Sequence, residues 1–374
     1  MRIVIFRTGG SILDYKTYNC QELGLAKALA DLGHEPYVIM AGGKYSCDVM
    51  KNDNGNSVTV FTLSFKGINQ ALSIFNGWKP LLENIRPDII QVHEFGMLMS
   101  YKVVRWAKNK NIPTVLIQGT YETTRKPVFK NLEVMFNKTF GKYIIKNVSG
   151  IGCKTIKASE YVKSYYKKST TLTPVGLDTG RFANSVDRDW KKDLHIEGKK
   201  ILLYVGKLEQ RRNPLFLVQV AKNLPSDYVM LLAGNGPLMD ETKEQAKDCD
   251  RIIFLGKLTQ QQLPSLYHQS DLFILASSYE IFGMVIMEAM YFGLPVISTD
   301  TAGAKTLISN WQDGIIEDNM NVNSWIEDIC KLLSDNELYR NLAEQANRKA
   351  QDNFPWRYAT LNYVDLYKSC ISQN

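Results

Sequence analysis

Short apolar runs rich in β-branched and aromatic residues recur along the chain and alternate with amphipathic stretches. Their length and near-continuous hydrophobicity are typical of strands buried on both faces of a parallel sheet. The runs predict strands at residues 2–6, 35–40, 88–92, 114–117, 200–205, 228–232, 251–255, 272–275 and 295–298. Helices are predicted at residues 21–32, 214–223, 260–269, 284–292 and 323–334. The alternation indicates an α/β protein built from parallel sheets with helical crossovers.

The alternation stops at about residue 182 and restarts with a new strand at Lys200. The segment between is charged and has no apolar periodicity, so we interpret it as an interdomain connection. A chain of 374 residues is also longer than one hydrophobic core usually serves. We therefore predict two Rossmann-like domains, residues 1–182 and 183–355. Ligands of such sheets bind outside the carboxyl ends of the strands.

Composition is that of an ordinary globular protein, with 45% hydrophobic and 22% charged residues. No apolar run approaches the roughly 18 residues that span a bilayer, and the short opening run is a strand rather than a signal peptide. The six cysteines form no CxxC pair, which favours reduced thiols and a cytoplasmic location.

The net charge of +7 is unevenly distributed. Residues 1–180 hold 24 Lys and Arg against 13 Asp and Glu, whereas residues 181–374 hold 21 against 25. A basic half can face nucleic acid, an acidic polymer or an anionic membrane, or it can simply be a solvated lysine-rich surface.

A loop and helix start in the second half have the features of a phosphate site. The strand at 272–275 leads into a loop with Glu280, then Phe282, Gly283 and Met284 open a helix that contains Glu288. Backbone N–H groups and the positive end of the helix dipole favour an anion there. The carboxylate of Glu288 can accept hydrogen bonds from a ribose diol, and Glu280 would face the sugar beyond the phosphates.

Two cations follow the strand at 200–205 in the same half. Lys207 lies directly after the strand end, and Arg212 precedes the next predicted helix. Together they can hold a diphosphate through charge-assisted hydrogen bonds, although as isolated residues they would more often be surface charges.

The ordered set of motifs resembles family 4 of the retaining glycosyltransferases. It consists of Gly206-Lys207-Leu208 with Arg212, Gly234-Asn235-Gly236, Phe254-Leu255-Gly256, Glu280-x7-Glu288, and Gly293 with Pro295 and Val296. The resemblance spans the second half and implies the GT-B fold, in which two Rossmann-like domains face each other across a cleft. The stretch from Phe354 to Cys370 also resembles the family's terminal helix, so residues 356–374 are expected to return to the first domain.

Carried over by position, the resemblance implies that Lys207 and Arg212 bind the diphosphate of a UDP- or GDP-linked sugar and that Glu288 binds its ribose. Glu280 and the backbone of Phe282, Gly283 and Met284 would hold the phosphates and the transferred sugar, and the loop at Gly256 would line the base. Lys207, Arg212 and Glu280 would therefore be catalytic, transfer would retain the anomeric configuration, and no cofactor or metal is required. Lys207 departs from the arginine common in the family.

The first half supplies candidates for the other side of the reaction. Gly9 and Gly10 follow the first strand and would face the donor, and His93 follows the strand at 88–92 as a catalytic candidate. Gln118 and Tyr121 follow the strand at 114–117 and are candidates for the acceptor. The family often has histidine at the position of Gln118, which puts any step that needs an imidazole there in doubt. Two further departures are Val175 and Thr306.

Residues 125–146, from Arg125 to Lys146, are rich in aromatic residues and lysines. Phe129, Leu132, Phe136, Phe140, Tyr143 and Ile144 fall on one helical stripe, flanked by Lys126, Lys130, Lys138, Lys142 and Lys146. Such a helix can lie on an anionic membrane, or it can be a core helix with a wet edge.

The expected reaction is sugar transfer to a glycan or a lipid-linked acceptor in cell-surface polysaccharide synthesis. The protein would be cytoplasmic or peripheral on the inner face of the plasma membrane, with no nucleic acid partner. The alternatives are a catalytically silent GT-B binding subunit and a nucleotide-sugar 2-epimerase.

Overall fold

The structure, a computed structural model, describes residues 1–15, 20–123 and 127–372. The chain forms two compact units. The N-terminal unit comprises Met1–Asp178 and Trp356–Asn374, and the C-terminal unit comprises Thr179–Pro355. The division thus falls four residues before the predicted boundary at 182/183, and the segment from Trp356 belongs with the first unit.

An eight-stranded sheet forms the centre of the N-terminal unit, with the strand order β10-β9-β8-β7-β1-β2-β4-β3. A separate hairpin, β5–β6, follows β4. The strands are β1 Arg2–Phe6, β2 Glu35–Ala41, β3 Ser46–Lys51, β4 Ser57–Leu63, β5 Phe65–Lys66, β6 Ile74–Phe75, β7 Ile89–His93, β8 Thr114–Gln118, β9 Gly150–Cys153 and β10 Thr171–Leu172. The helices are α1 Gln21–Asp31, α2 Trp78–Ile85, α3 Leu98–Asn109, α4 Pro127–Phe136, α5 Lys142–Asn147 and α6 Ile156–Tyr165.

One strand of this sheet departs from the predicted parallel arrangement. β3 pairs antiparallel with β4 at the sheet edge. The turn between them closes through Asn52, whose N–H donates to the Asn56 carbonyl at 2.9 Å, with Gly55 at φ +79°. A connection this short cannot make a parallel crossover, so the two strands form a hairpin.

The C-terminal unit has a six-stranded parallel sheet of order β13-β12-β11-β14-β15-β16. The strands are β11 Lys200–Val205, β12 Tyr228–Ala233, β13 Ile252–Gly256, β14 Leu272–Leu275, β15 Val296–Thr299 and β16 Ile315–Glu317. The helices are α7 Trp190–Asp193, α8 Pro214–Asn223, α9 Met239–Ala246, α10 Leu263–Gln269, α11 Met284–Tyr291, α12 Ala302–Leu307, α13 Val322–Ser334 and α14 Asn336–Asn353.

The segment predicted as an interdomain connection is packed into the C-terminal unit. Trp190 at the start of α7 is 1% exposed, and its indole N–H donates to the Ser265 hydroxyl at 3.0 Å. The Gln269 side chain accepts a hydrogen bond from the Trp190 N–H. Trp190 therefore anchors this segment to the C-terminal unit, although the other residues of the segment are as charged as those of a linker.

Each sheet reverses its strand order at one point. In the C-terminal unit the reversal separates β11 from β14, and in the N-terminal unit it separates β1 from β7. The crossovers at such a point diverge to opposite faces, which leaves a crevice outside the strand ends. The loops after these four strands are therefore the places where each unit can bind a ligand.

The last helix, α15 (Trp356–Ser372), packs on α1 within the N-terminal unit. A Cβ at Gly24 of α1 would lie 2.0 Å from the indole nitrogen of Trp356. The Tyr363 hydroxyl donates to the Thr173 carbonyl at 3.0 Å, and the Tyr367 hydroxyl donates to the Gln91 side chain. Gly24 is thus the position that lets this helix approach closely.

We predict that Gly24→Ala destabilises the N-terminal unit by about 1–3 kcal/mol, because the methyl group overpacks the Trp356 contact. Gly43→Ala is the matched control, since a Cβ there meets nothing within 4 Å. Thermal unfolding of both variants would test this, and equal midpoints would contradict the tight packing of α15.

Candidate functional site

In the C-terminal unit, hydrogen bonds join the loops after β11 and β14. The Asn213 side-chain amide donates to the Ala276 carbonyl at 2.7 Å, and the Ser278 N–H donates to the Arg211 carbonyl at 2.8 Å. Asn213 adopts φ +49°, a left-handed conformation that asparagine tolerates. The two loops predicted from separate motifs therefore form one structure.

A buried ion pair forms the centre of these loops. Arg212 Nη1 contacts Glu280 Oε1, and Arg211 Nη1 lies 3.1 Å from the same oxygen. Burial raises the pKa of Glu280, and the two guanidinium groups oppose that rise. The Arg212 side chain is 13% exposed, and its buried Nε has no hydrogen-bond partner among the described residues. A buried unpaired N–H is costly, so this atom is a position where an acceptor oxygen would stabilise the site.

Lys207 lies on the same loop and, like Arg211, is exposed. Its side chain is 62% exposed, and its Nζ lies 3.6 Å from Glu209 Oε2. The buried Tyr204 hydroxyl donates to the Lys207 carbonyl at 2.9 Å, which fixes the backbone at this position. Lys207 thus has a fixed backbone and an exposed side chain that can move toward a bound ligand.

The loop after β14 turns into α11 at Gly283, which has φ +84°. Phe282 is 3% exposed, and a Cβ at Gly303 would lie 2.5 Å from its backbone. Met284 is the first residue of α11, whose leading N–H groups have no partner inside the helix. The tight Phe282–Gly303 contact therefore sets where the positive end of this helix lies.

Glu288 lies farther along α11 and is 3% exposed. Its Oε2 accepts a hydrogen bond from the Tyr267 hydroxyl of α10 at 3.0 Å. The carboxylate is thus buried and held by a neighbouring helix.

Close backbone packing brings Gly256 toward the β11 loop. The Gly234 N–H donates to the Gly256 carbonyl at 2.7 Å, and a Cβ at Gly234 would lie 1.8 Å from the Gly206 carbonyl oxygen. Gly256 itself has φ +66°. The ends of β11, β12 and β13 therefore meet beside the cations.

In the N-terminal unit, the glycine loop after β1 packs against the β5–β6 hairpin. The Gly10 N–H donates to the Gln70 carbonyl at 3.0 Å, and a Cβ at Gly10 would lie 2.0 Å from Ser73 Oγ. Thr8 donates to the His93 carbonyl at 2.6 Å, which joins the ends of β1 and β7. Gly9 and Gly10 thus lie at the strand reversal together with His93.

His93 is enclosed by polar neighbours. Its Nε2 lies 2.9 Å from the Gln91 amide nitrogen, and its Nδ1 lies 3.9 Å from Glu22 Oε1. Burial lowers the pKa of His93 to about 4; Lys154 and Arg7 act in the same direction, and the nearby Glu22 carboxylate opposes them. The imidazole is therefore neutral at pH 7 and, at 12% exposed, has little surface for a substrate.

The Gln118 side chain is occupied by its own loops. It is 2% exposed, accepts a hydrogen bond from the Phe95 N–H at 3.1 Å, and donates to the Thr120 carbonyl and to Glu94. In this arrangement it holds two loops together and offers no free group to a sugar. Tyr121 is half-buried, with Lys157 Nζ 5.9 Å from its ring centre.

Sequence reasoning missed Glu94 and Glu22. The Glu94 carboxylate accepts hydrogen bonds from the Gly119 and Thr120 N–H groups, and its backbone has φ +60°. Burial raises the pKa of Glu94. The available signal was its place directly after His93 at a strand end. Glu22 gave no such signal, because the first turn of an amphipathic helix commonly carries an acid.

From residue 127 onward, the segment predicted as a basic amphipathic helix is helical. α4 passes through a π turn at Asn137–Gly141 into α5. Leu132, Met135 and Phe140 are 56%, 59% and 39% exposed, whereas Ile144 is fully buried. Phe136 and Phe140 nevertheless contact each other, with ring centroids 4.9 Å apart, and Tyr101 contacts both Phe140 and Tyr143. Part of the predicted stripe therefore stays on one side of the segment across the π turn.

Lys130, Lys138, Lys142 and Lys146 of this segment are exposed. Arg125 and Lys126 lie outside the described residues, and so does the side chain of Phe129. Across residues 1–15, 20–123 and 127–372, no helix is both long and apolar enough to cross a bilayer.

A cavity of about 620 Å³ in the C-terminal unit lies apart from the predicted donor residues. Its lining includes Phe182, His268, Tyr291, Phe292 and Asn347, and none of Lys207, Arg212, Glu280 and Glu288. Arg212 and Glu280 instead meet where the loops after β11 and β14 join, with Lys207 on the same loop as Arg212 and Glu288 inside α11. In the part of the chain that the structure describes, no group of three His, Cys, Asp or Glu side chains could hold a metal ion.

Two family models match the chain in succession. Residues 23–181 match "Glycosyltransferase Family 4", and residues 186–349 match "Glycosyl transferases group 1". The chain belongs to the family 4 glycosyltransferases of the GT-B fold.

The chain is similar to spore coat protein SA of Bacillus subtilis, with 29% identity over 56% of this chain and 61% of that protein. It is also 27% identical to a UDP-Gal:α-D-GlcNAc-diphosphoundecaprenol α-1,3-galactosyltransferase of Escherichia coli, over 77% and 76% of the two chains. The structure of Anabaena HepE in complex with UDP superposes with a TM-score of 0.76 at 15% identity, covering 99% of this chain and all of that one. Three bacterial relatives match over only 48–61% of their own length.

We predict that His93 makes the folded protein less stable in acid. The unfolded chain takes up a proton at this residue below about pH 6.5, whereas the folded protein resists protonation down to about pH 4. Stability from this group is complete above pH 6.5 and falls by up to about 3 kcal/mol between pH 6.5 and 4. The free energy of unfolding of His93→Gln should therefore fall less between pH 6.5 and 4 than that of the wild type.

Urea unfolding at pH 4.5 and 7.5 would measure this difference in the free energy of unfolding. His195→Gln, at an exposed histidine, is the control. An identical pH dependence in wild type and His93→Gln would contradict a buried neutral imidazole.

Proposed function

We propose that the protein is a retaining glycosyltransferase that moves a sugar from a nucleoside diphosphate donor to a hydroxyl group of a glycan or lipid-linked acceptor. The observation that carries the proposal is the buried Arg212–Glu280 pair with the unpaired Nε of Arg212, beside the start of α11. A phosphate oxygen supplies both the negative charge and the acceptor atom that this arrangement lacks.

In this proposal, Lys207 and Arg212 stabilise the diphosphate as it leaves. Negative charge grows on the phosphate oxygens when the glycosidic bond breaks, so fixed positive groups lower the barrier more than they strengthen donor binding. The N-terminus of α11 at Gly283 and Met284 adds backbone N–H donors. Glu280, already fixed by two arginines, accepts hydrogen bonds from the donor sugar rather than attacking it.

UDP is the donor nucleotide that the comparisons favour, since HepE was solved with UDP and the E. coli relative uses UDP-Gal. Gly256 lies where a base could approach the backbone without a side chain in the way. In the N-terminal unit, Gly9, Gly10 and Tyr121 remain candidates for substrate contacts. His93 and Gln118 are more enclosed and support the loops that carry these candidates.

Lys207→Ala and Arg212→Ala should each lower kcat on the order of 10²- to 10³-fold, the effect of losing one donor to a developing oxyanion. Arg340→Ala on the exposed face of α14 is the control. Transfer would be assayed with the nucleotide sugar that stabilises the wild type most in a thermal-shift panel. Wild-type turnover in both variants would exclude the phosphate assignment.

We further propose that the acceptor is lipid-linked and that the segment at residues 130–146 contacts the cytoplasmic face of an anionic membrane. Leu132, Met135 and Phe140 expose apolar area that packing leaves uncovered within the described chain. Exposed lysines on the same segment suit anionic headgroups, at about 1 kcal/mol per cation near the surface. The E. coli relative acts on a diphosphoundecaprenol-linked sugar, which agrees with this class of acceptor.

Reversing two of these charges, Lys138→Glu with Lys142→Glu, should reduce binding to phosphatidylglycerol vesicles by about 10-fold or more. Cosedimentation would measure it, with Lys199→Glu and Lys222→Glu in the C-terminal unit as the matched pair. Equal partitioning of the wild type onto neutral and anionic vesicles would rule out the membrane contact.

A further inference from the structure

Tyr267 makes a contact that neither the motif pattern nor the phosphate chemistry requires. Its ring is 1% exposed, and its hydroxyl donates to Glu288 Oε2 at 3.0 Å. Burial and the adjacent carboxylate raise the pKa of Tyr267 well above its ordinary value, so the hydroxyl stays protonated at every physiological pH. It is therefore a permanent donor to Glu288.

Aromatic packing fixes where that hydroxyl lies. The Tyr267 ring stacks on Phe292, with centroids 5.4 Å apart and planes at 12°, and Phe273 lies 6.1 Å away on the sheet. α10 carries Tyr267, and Phe292 directly follows α11. The donor and the carboxylate thus belong to two helices that the stacked rings hold together.

We propose that Tyr267 is a positioning residue that makes the site select ribonucleoside over 2′-deoxyribonucleoside diphosphates, because it orients the Glu288 carboxylate toward the ribose diol. The inference rests on the proposed function, in which Glu288 accepts from the ribose hydroxyls. Carboxylate oxygens have directional lone pairs, so a donor fixed on Oε2 sets the angle at which the group meets a second donor.

Tyr267→Phe removes the oxygen and keeps the stacked ring, so it separates orientation from packing. Binding of UDP, GDP and ADP and of their 2′-deoxy forms would be measured by calorimetry. For the preferred base, the wild type should bind the ribose form about 10- to 100-fold more tightly, the range expected for a hydrogen bond to a charged group. Tyr267→Phe should reduce that ratio to about 3-fold or less.

Tyr363→Phe is the matched control, because its buried hydroxyl donates to the Thr173 carbonyl in the N-terminal unit. It should keep the wild-type ratio. A double-mutant cycle of Tyr267→Phe with Glu288→Gln measures whether the two residues are coupled in the ribose preference. A tyrosine with only a structural role would show no such coupling. If Tyr267 acts through Glu288, the second substitution adds little to the loss of ribose preference.

The outcomes separate the two ideas. A wild type that binds none of the three diphosphates refutes the proposed function and this inference together. Binding with an unchanged ribose preference in Tyr267→Phe, or additive losses in the cycle, overturns the role of Tyr267 alone. Thermal unfolding of each variant shows whether any loss of affinity reflects an unfolded protein.

Discussion

Arg212 and Glu280 neutralise each other inside the C-terminal unit, where burying either charge alone would cost several kcal/mol. That constraint organises the surrounding loops. Asn213 and Ser278 form hydrogen bonds to the opposite loop. The ion pair therefore lies between the loops after β11 and β14, at the point where the strand order reverses. Such a pair contributes little net stability, and its value lies in holding charge ready for an anion.

The loops that carry the candidate residues of the C-terminal unit could be predicted because their signals are local. Strand ends, the glycines near Gly283 and the carboxylates at 280 and 288 sit at fixed distances along the chain, and the parallel sheet brings their loops together. The strands at β1, β11 and β14 begin and end where their apolar runs do. The contact between Tyr267 and Glu288 is 21 residues apart and depends on how two helices pack, which no spacing records.

The N-terminal unit shows where such reasoning stops. His93 and Gln118 were chosen because polar side chains at strand ends tend to face a ligand. Here Gln91, Glu22 and Glu94 enclose them, and these partners lie on other elements or carry no motif. The stripe predicted within residues 125–146 assumes 3.6 residues per turn, and the π turn at Asn137–Gly141 changes that period. Among the described side chains, Phe136, Phe140 and Tyr143 remain linked by ring contacts, whereas Leu132 is exposed and Ile144 is buried.

The antiparallel strand β3 has a consequence for how the molecule behaves in solution. It leaves one row of backbone groups facing outward at the sheet border, with Val49 65% exposed. Asp48 and Lys51 on this short strand carry charges that a second sheet would have to desolvate in order to add on. The charges on the β3–β4 hairpin therefore disfavour edge-to-edge association of sheets, although Val49 exposes apolar surface there.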